Sequence, residues 1–154
     1  MTQRSQTSPA LTHREIKDDD VPAIGLWAEL RDIENLEKLI TLPAFWGVVL
    51  ESDNSLLGFA YGWRLDSDVE VIQITVHPDH RRLGYGKILL DYFIDAAGAN
   101  ICRLEVRADN VAALSLYEGY GFTKDSIRAN YYDDERGKID AVLMTYAKAN
   151  GIEN

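Results

Sequence analysis

Apolar and polar positions along this chain switch between two periods, and each switch marks an element. Residues 11–16 read as a short first strand. The run Asp18-Asp19-Asp20 before Val21-Pro22 supplies a capping carboxylate, an acidic first turn and an early proline, which together start a helix. Ile24, Trp27 and Leu30 then form its apolar stripe, and a second start falls at Asp32, with Ile33, Leu36, Leu39 and Ile40 on one face and Pro43 closing it. Two strand-like runs, 47–51 and 56–65, flank the turn Asp53-Asn54-Ser55 and predict a hairpin. In the next run, 69–76, the alternation slips. Val69 and Val71 are in one phase, and Ile72, Ile74 and Val76 are in the other, which predicts a β-bulge that splays this strand from a neighbour.

From Tyr85 the period becomes helical, with Ile88, Leu89, Tyr92, Phe93, Ala96 and Ala97 in register and Gly98 as the stop. Residues 101–106 form a strand. Asn110 caps a short helix through Tyr117, ended by Gly119 and Gly121. Residues 122–128 and 139–146 are strands joined by the polar segment N-Y-Y-D-D-E-R-G-K, expected as a loop. The order β-α-α-β-β-β-α-β-α-β-β describes a mixed α/β domain, and the β-loop-α-β in its middle requires at least one parallel strand pair. A single domain over 10–148 is expected, with a disordered tail over 1–9 and a second tail over 149–154.

Composition narrows the function. The 154 residues carry 25 acidic and 16 basic side chains, a formal charge of −9, which argues against a general nucleic-acid binder and suits a cationic partner. No run of about 18 apolar residues offers a membrane span, and the polar start M-T-Q-R-S-Q-T-S-P has no apolar core of a secretory signal. With Cys102 alone, no internal disulfide can form, so a cytoplasmic setting is expected. Cys102 lies inside a strand with nothing beside it in sequence to activate it, which reads as an inert buried thiol. His13, His77 and His80 make no metal-ligand pattern, so no metal is expected.

The run H-R-R-L-G-Y-G-K, residues 80–87, sits where a strand hands over to a helix. Gly84 and Gly86 permit positive φ and leave no Cβ between backbone and ligand. The amides of Leu83, Gly84, Tyr85, Gly86 and Lys87 can then converge on an anion at the helix start, with Arg81, Arg82 and Lys87 adding positive charge.

With these elements in place the chain resembles the GCN5-related N-acetyltransferase superfamily, whose signature Q/R-x-x-G-x-G/A is met by Arg81, Gly84 and Gly86. Its second half is similar to the bacterial ribosomal-protein-alanine N-acetyltransferases in I-T-V-H-P-D-H-R-R-L-G-Y-G-K, in L-E-V-R-A-D-N-V-A-A-L-S-L-Y-E-G-Y-G-F and in I-R-A-N-Y-Y. The first half lacks that group's aromatic H-x-F-P-W segment. The resemblance implies a mostly antiparallel sheet splayed by a bulge in its fourth strand, with helices on both faces. It implies acetyl-CoA as co-substrate, held by Ile74, Thr75 and Val76, by the cradle from Arg81 to Lys87, and by Asn110. It implies Glu105 as general base and Tyr117 as general acid in direct transfer to a protein N-terminal α-amine, with Tyr131 and Tyr132 gripping the acceptor. On residues alone, Glu105 also reads as a sheet-surface carboxylate beside Arg103 or Arg107, and Tyr117 as a packed ring. Asn110 also reads as a plain cap, and Asp133, Asp134 and Glu135 as a solvated hairpin tip. A small amine or lysine side chain is the alternative acceptor, and a non-catalytic acyl-CoA-binding module is the alternative class.

Overall fold

Asp53 and Asn54 both take positive φ, 50° and 65°, the two-residue turn whose twist matches that of the flanking strands. They close a hairpin of β2 (Phe45–Ser52) and β3 (Ser55–Leu65), two strands buried along most of their length. The computed structural model describes residues 10–28 and 30–149; the expected tail over 1–9 and residues 150–154 of the second lie outside the described residues.

Around the hairpin, β1 (Leu11–Glu15), β4 (Asp68–Val76), β5 (Ile101–Arg107), β6 (Thr123–Asp134) and β7 (Gly137–Ala147) complete a seven-stranded sheet in the order β1-β2-β3-β4-β5-β7-β6. The pair β4–β5 is parallel and the others are antiparallel. The crossover between β4 and β5 runs through a single 3-10 turn (Pro78–His80) and α3 (Tyr85–Ala96). α4 (Val111–Tyr120) links β5 to β6, and the first crossover holds a 3-10 turn (Asp18–Asp20), α1 (Val21–Ile24) and α2 (Leu30–Leu39).

Helices cover both faces, as their apolar stripes require. On one face Leu89, Leu90, Phe93 and Ile94 of α3 and Tyr117 of α4 pack on Val48, Leu50, Val71, Cys102, Leu104 and Met144. On the other face Ile24 and Leu36 pack on Val49, Phe59 and Tyr61. This double cover explains why β2 is apolar without alternation. The Trp46 indole N–H donates to the Phe93 carbonyl at 2.9 Å and ties β2 to α3 inside the core. At the sheet's far corner Asp20, buried, takes a bidentate pair from Arg14 at 2.7 and 2.8 Å, which locks β1 to the first helical turn. Burial alone would raise the Asp20 pKa, but the Arg14 hydrogen bonds outweigh it and hold the carboxyl below its usual range.

Four expectations need correction. The first helix is split: α1 is one turn long and Trp27 lies in the bend after it, since Gly25 follows directly and carries no side chain to pack. α2 begins at Leu30, so Asp32 lies inside the helix rather than at its cap. α4 runs on through Gly119 to Tyr120, so Tyr117 is inside the helix; Gly121 ends it with φ 126°. The segment expected as a loop after residue 128 is mostly strand: β6 continues to Asp134, and the turn is only Glu135-Arg136.

Candidate active site

The slip in alternation within β4 has a direct structural counterpart. Tyr61 faces Gln73 and Gly62 faces Val71, so Ile72 is an extra residue opposite β3. The bulge pushes the Glu70 carbonyl toward β3, where a Cβ on residue 62 would stand 1.7 Å from that oxygen. Glycine is required at this place by the close approach of two backbones. The parallel pairing of β4 with β5 ends at the same point, at Val71 opposite Leu104. Beyond it, β4 stays with β3 as far as Gly58 opposite Val76, while β5 stays with β7. Ile74, Thr75 and Val76 on one side and Glu105, Val106 and Arg107 on the other therefore face a wedge between two diverging strands. The splay expected from the bulge begins only after Leu104, because residues 101–104 of the neighbouring strand remain paired with β4.

At the outer end of the wedge, the chain turns sharply. The His77 amide donates to the Leu57 carbonyl at 2.7 Å, and the Arg81 Nε–H donates to the Val76 carbonyl at 3.2 Å, so Arg81 clips the turn to the strand it leaves. Arg82 and Gly84 take φ of 66° and 83°. Gly84 is the N-cap of α3 and offers no capping side chain, so the first-turn amides of Tyr85, Gly86 and Lys87 point outward without an intrahelical acceptor. Nothing stands within 4 Å of a Cβ built on Gly84. Gly86 plays a different part from the one expected. It is helical, and a Cβ there would meet the Leu116 side chain at 3.2 Å, so it lets α3 lie close to α4. The second left-handed residue is Arg82.

Glu105 is the first β5 residue past the end of the parallel pairing. Its neighbours Leu104 and Val106 point into the core below α3 and α4, so strand alternation turns Glu105 to the other face, which α1 and α2 leave open. There it meets Arg128 of β6 at 3.3 Å. It lines a groove of about 220 Å³ with Glu70, Arg103, Asp125, Leu143 and Thr145 among its walls. Tyr117 reaches the same strand from the opposite face. It is 6% exposed, packs on Phe122 at 5.6 Å, and burial first, then nearby Cys102, pushes its pKa up to about 12. No hydrogen bond contributes to that shift, whereas the Tyr120 hydroxyl is engaged by Asp91 at 3.0 Å. Cys102 is buried, with its thiol pushed up to about 12, as expected of an inert core residue.

Tyr131 is the last residue of a bulge in β6 where residues 129–131 oppose Asp140 alone, and Tyr132 follows it back in register. Asn130 takes φ 55° there, and its amide donates to Asp140 Oδ1 at 2.8 Å. The bulge brings Tyr131 under the Arg128 guanidinium at 5.5 Å and Tyr132 under that of Arg107 at 5.1 Å, with the two rings 5.1 Å apart. Tyr132 is raised above the usual tyrosine range by burial and by the charge of Glu105. Asp134 pairs with Arg107 at 2.9 Å, so one of the three expected acidic tip residues is structural. Asn110 does cap α4: its side-chain oxygen accepts from the Ala113 amide at 3.1 Å. Among the described residues no group of His, Cys, Asp and Glu could hold a metal ion. None of their helices is long and apolar enough to cross a membrane.

Sequence reasoning missed Gly62 and the contact of Arg128 with Glu105. A glycine inside an apolar strand is a signal of close backbone approach and was legible. Arg128 gave no such signal, since Glu105 comes from another strand.

The profile of the acetyltransferase (GNAT) family matches residues 12–122. The chain belongs to that family. The match ends before β6 and β7, which hold Arg128 and both tyrosines. A ribosomal protein bS18-alanine N-acetyltransferase of Salmonella typhimurium is 39% identical over 98 residues, 62% of this chain and 66% of that protein. An N-alpha-acetyltransferase of Mycobacterium tuberculosis is 39% identical over 85 residues, 53% of this chain and 54% of that one. The aligned part thus spans just under two thirds of the first and about half of the second. Among solved structures, the crystal structure of the ribosomal-protein-S18-alanine N-acetyltransferase from Escherichia coli superposes with a TM-score of 0.79 at 28% identity, over 94% of this chain and 98% of that one. The mixed sheet, the splay and the helix arrangement of this family member therefore match the fold expected.

Proposed function

We propose that this chain transfers an acetyl group from acetyl-CoA directly to the N-terminal α-amine of a protein, in the manner of the ribosomal-protein-alanine N-acetyltransferases it is similar to. The observation that carries the reading is the position of Glu105, the first residue of β5 beyond the strand pairing, on the open sheet face. Acetyl-CoA, when bound, supplies the acetyl group as a thioester. The residues fit it. The uncapped start of α3 with open space at Gly84 suits a pyrophosphate, with Arg81, Arg82, Leu83 and Lys87 around it. The free edge at Ile74, Thr75 and Val76 suits an amide-rich arm that pairs like a strand. Amides of that edge would also stabilise charge on the thioester oxygen, an effect worth about 3 kcal/mol of barrier.

Glu105 takes the proton that the ammonium must lose before its nitrogen can attack. An α-amine with a pKa of about 8 is partly neutral near pH 7, while a lysine at about 10.4 is not, so a single carboxylate suits the α-amine better. Tyr117 Oη donates toward the sulfur as its bond to carbon breaks. A tyrosine raised to about 12 is a weak acid for an ordinary thiolate. A sulfur held in the same apolar surroundings is more basic, however, as the rise of Cys102 to about 12 illustrates. Asn110 borders this end of the wedge at the start of α4. Tyr131 and Tyr132 frame the acceptor. A cytoplasmic setting and the domain bounds 10–148 follow from the same reading.

The test is a panel of peptides with free and blocked N-termini, small amines and a lysine peptide, read by thiol release, with Glu105→Gln alongside. Turnover of free α-amines alone supports the reading. Turnover of small amines alone replaces it with the small-amine alternative, and coenzyme binding without any turnover replaces it with a binding module.

A further inference from the structure

We infer that Arg128 is a positioning residue: it rests on Glu105 as a built-in stand-in for the acceptor's ammonium, and the acceptor must displace it to reach the base. This rests on the reading of Glu105 as the base. Three observations carry it. The Arg128 guanidinium lies 3.3 Å from Glu105 Oε1 and half exposed, at the mouth of the groove rather than in the core. The other arginines near Glu105 are engaged elsewhere: Arg103 pairs with Asp68 at 2.8 Å, and Arg107 pairs with Asp109 at 3.0 Å and Asp134 at 2.9 Å. Among the described residues Glu105 is the carboxylate that Arg128 pairs with. Finally, Arg128 is held from a second side. The β6 bulge sets the Tyr131 ring 5.5 Å from its guanidinium, a contact that supports the cation independently of the Glu105 carboxylate.

A cation seated on the base excludes other cations that bring too few other contacts to displace it, so a free amine without a following peptide is disfavoured. The groups facing Glu105 fix the sign of the effect. From β6 come Arg128, Asp125 and Tyr132, from β5 Arg103 and Arg107, and from β4 Glu70; β7 contributes the uncharged Leu143, Met144 and Thr145. Asp125 accepts a hydrogen bond from the Thr145 hydroxyl. Without Arg128, the groove keeps the carboxylates of Glu105, Glu70 and Asp125 and loses the cation that an acceptor must displace.

The test is Arg128→Met in the full chain, with kcat and KM measured separately for a free-N-terminal peptide at pH 8. KM for the peptide is expected to fall about two- to fivefold with kcat little changed, because no resident cation competes. Arg128→Lys keeps a cation at the site and is expected to keep KM near its wild-type value, a rescue that a packing role would not give. An unchanged KM, or a KM that rises, overturns the inference. Glu105→Gln separates the two claims. If it leaves turnover intact, the base assignment falls and this inference with it. If turnover collapses while Arg128→Met leaves KM unchanged, only this inference falls.

Discussion

Replacing Gly62 by alanine tests the link between the bulge and the site. The added Cβ would stand 1.7 Å from the Glu70 carbonyl oxygen and 2.8 Å from its carbon, with the Ile72 nitrogen at 3.1 Å. All three are backbone atoms, so no side chain can swing aside. A carbon and an unbonded oxygen need roughly 3.3 Å, so β3 and β4 must part locally by on the order of 1.5 Å. That separation breaks the ladder bonds beside the bulge, since an N–H···O contact lengthened so far is no longer a hydrogen bond. Two lost bonds at about 1 kcal/mol each, added to about 1–3 kcal/mol of overpacking, give about 3–5 kcal/mol. Urea unfolding followed by circular dichroism reads this directly, and the melting temperature should fall by roughly 6–20 °C. Coenzyme A titration by calorimetry on the folded variant should show weaker binding, because the bulge sets the angle at which Ile74 to Val76 leave β5. A stability change below about 0.5 kcal/mol, the range of an ordinary surface substitution, would falsify the steric argument. Gly47 is the internal comparison. Its Cβ would meet the Ile16 side chain at 2.5 Å, and a side chain can move, so Gly47→Ala should cost less.

Gly84 and Gly98 share positive φ, 83° and 66°, and open space, so alanine at either should cost about 1 kcal/mol of stability, while only Gly84→Ala weakens coenzyme A binding in calorimetry. Glu105→Gln should lower kcat/KM about 10²–10⁴-fold, read by thiol release. Tyr117→Phe should lower kcat with little change in coenzyme affinity, and pre-steady-state thiol release separates these. With Cys102 and Tyr117 both raised to about 12 by burial, the folded state keeps protons that the unfolded chain loses from about pH 9 upward. Stability should therefore be level below pH 9 and fall between pH 9 and 12, and Tyr117→Phe should flatten the part above about pH 10. Asp20 has the opposite sign. Its stabilisation is present above the ordinary carboxylate range and is lost on acidification, so Asp20→Asn should lower stability at pH 7 by about 2 kcal/mol and less at pH 3, measured by urea midpoints.

Much of the fold was legible in the residue pattern because the signals are local. The order of strands and helices, the hairpin at Asp53-Asn54, the bulge in β4 and the cap at Asn110 all rest on spacings within a few residues. The uncapped helix start at Gly84 was legible too, since a glycine follows a strand and opens an apolar helical period. Boundaries failed where the signal was composition alone. The run N-Y-Y-D-D reads as loop because it is polar, but an edge strand with one open face tolerates polar side chains along its whole length. Gly86 resembles a turn glycine by spacing, and only the nearness of Leu116 on another helix reveals why no side chain fits.

What tertiary structure alone decided is which charges meet. Strand alternation places Glu105 and Tyr117 against opposite faces of β5, while sheet order brings Arg128, 23 positions later, onto Glu105. Residue types and their periods set what each segment becomes, since those preferences act over a turn or a strand. The pairing of Glu105 with Arg128 depends on the order in which strands join the sheet, and that order is settled by burying both faces at once.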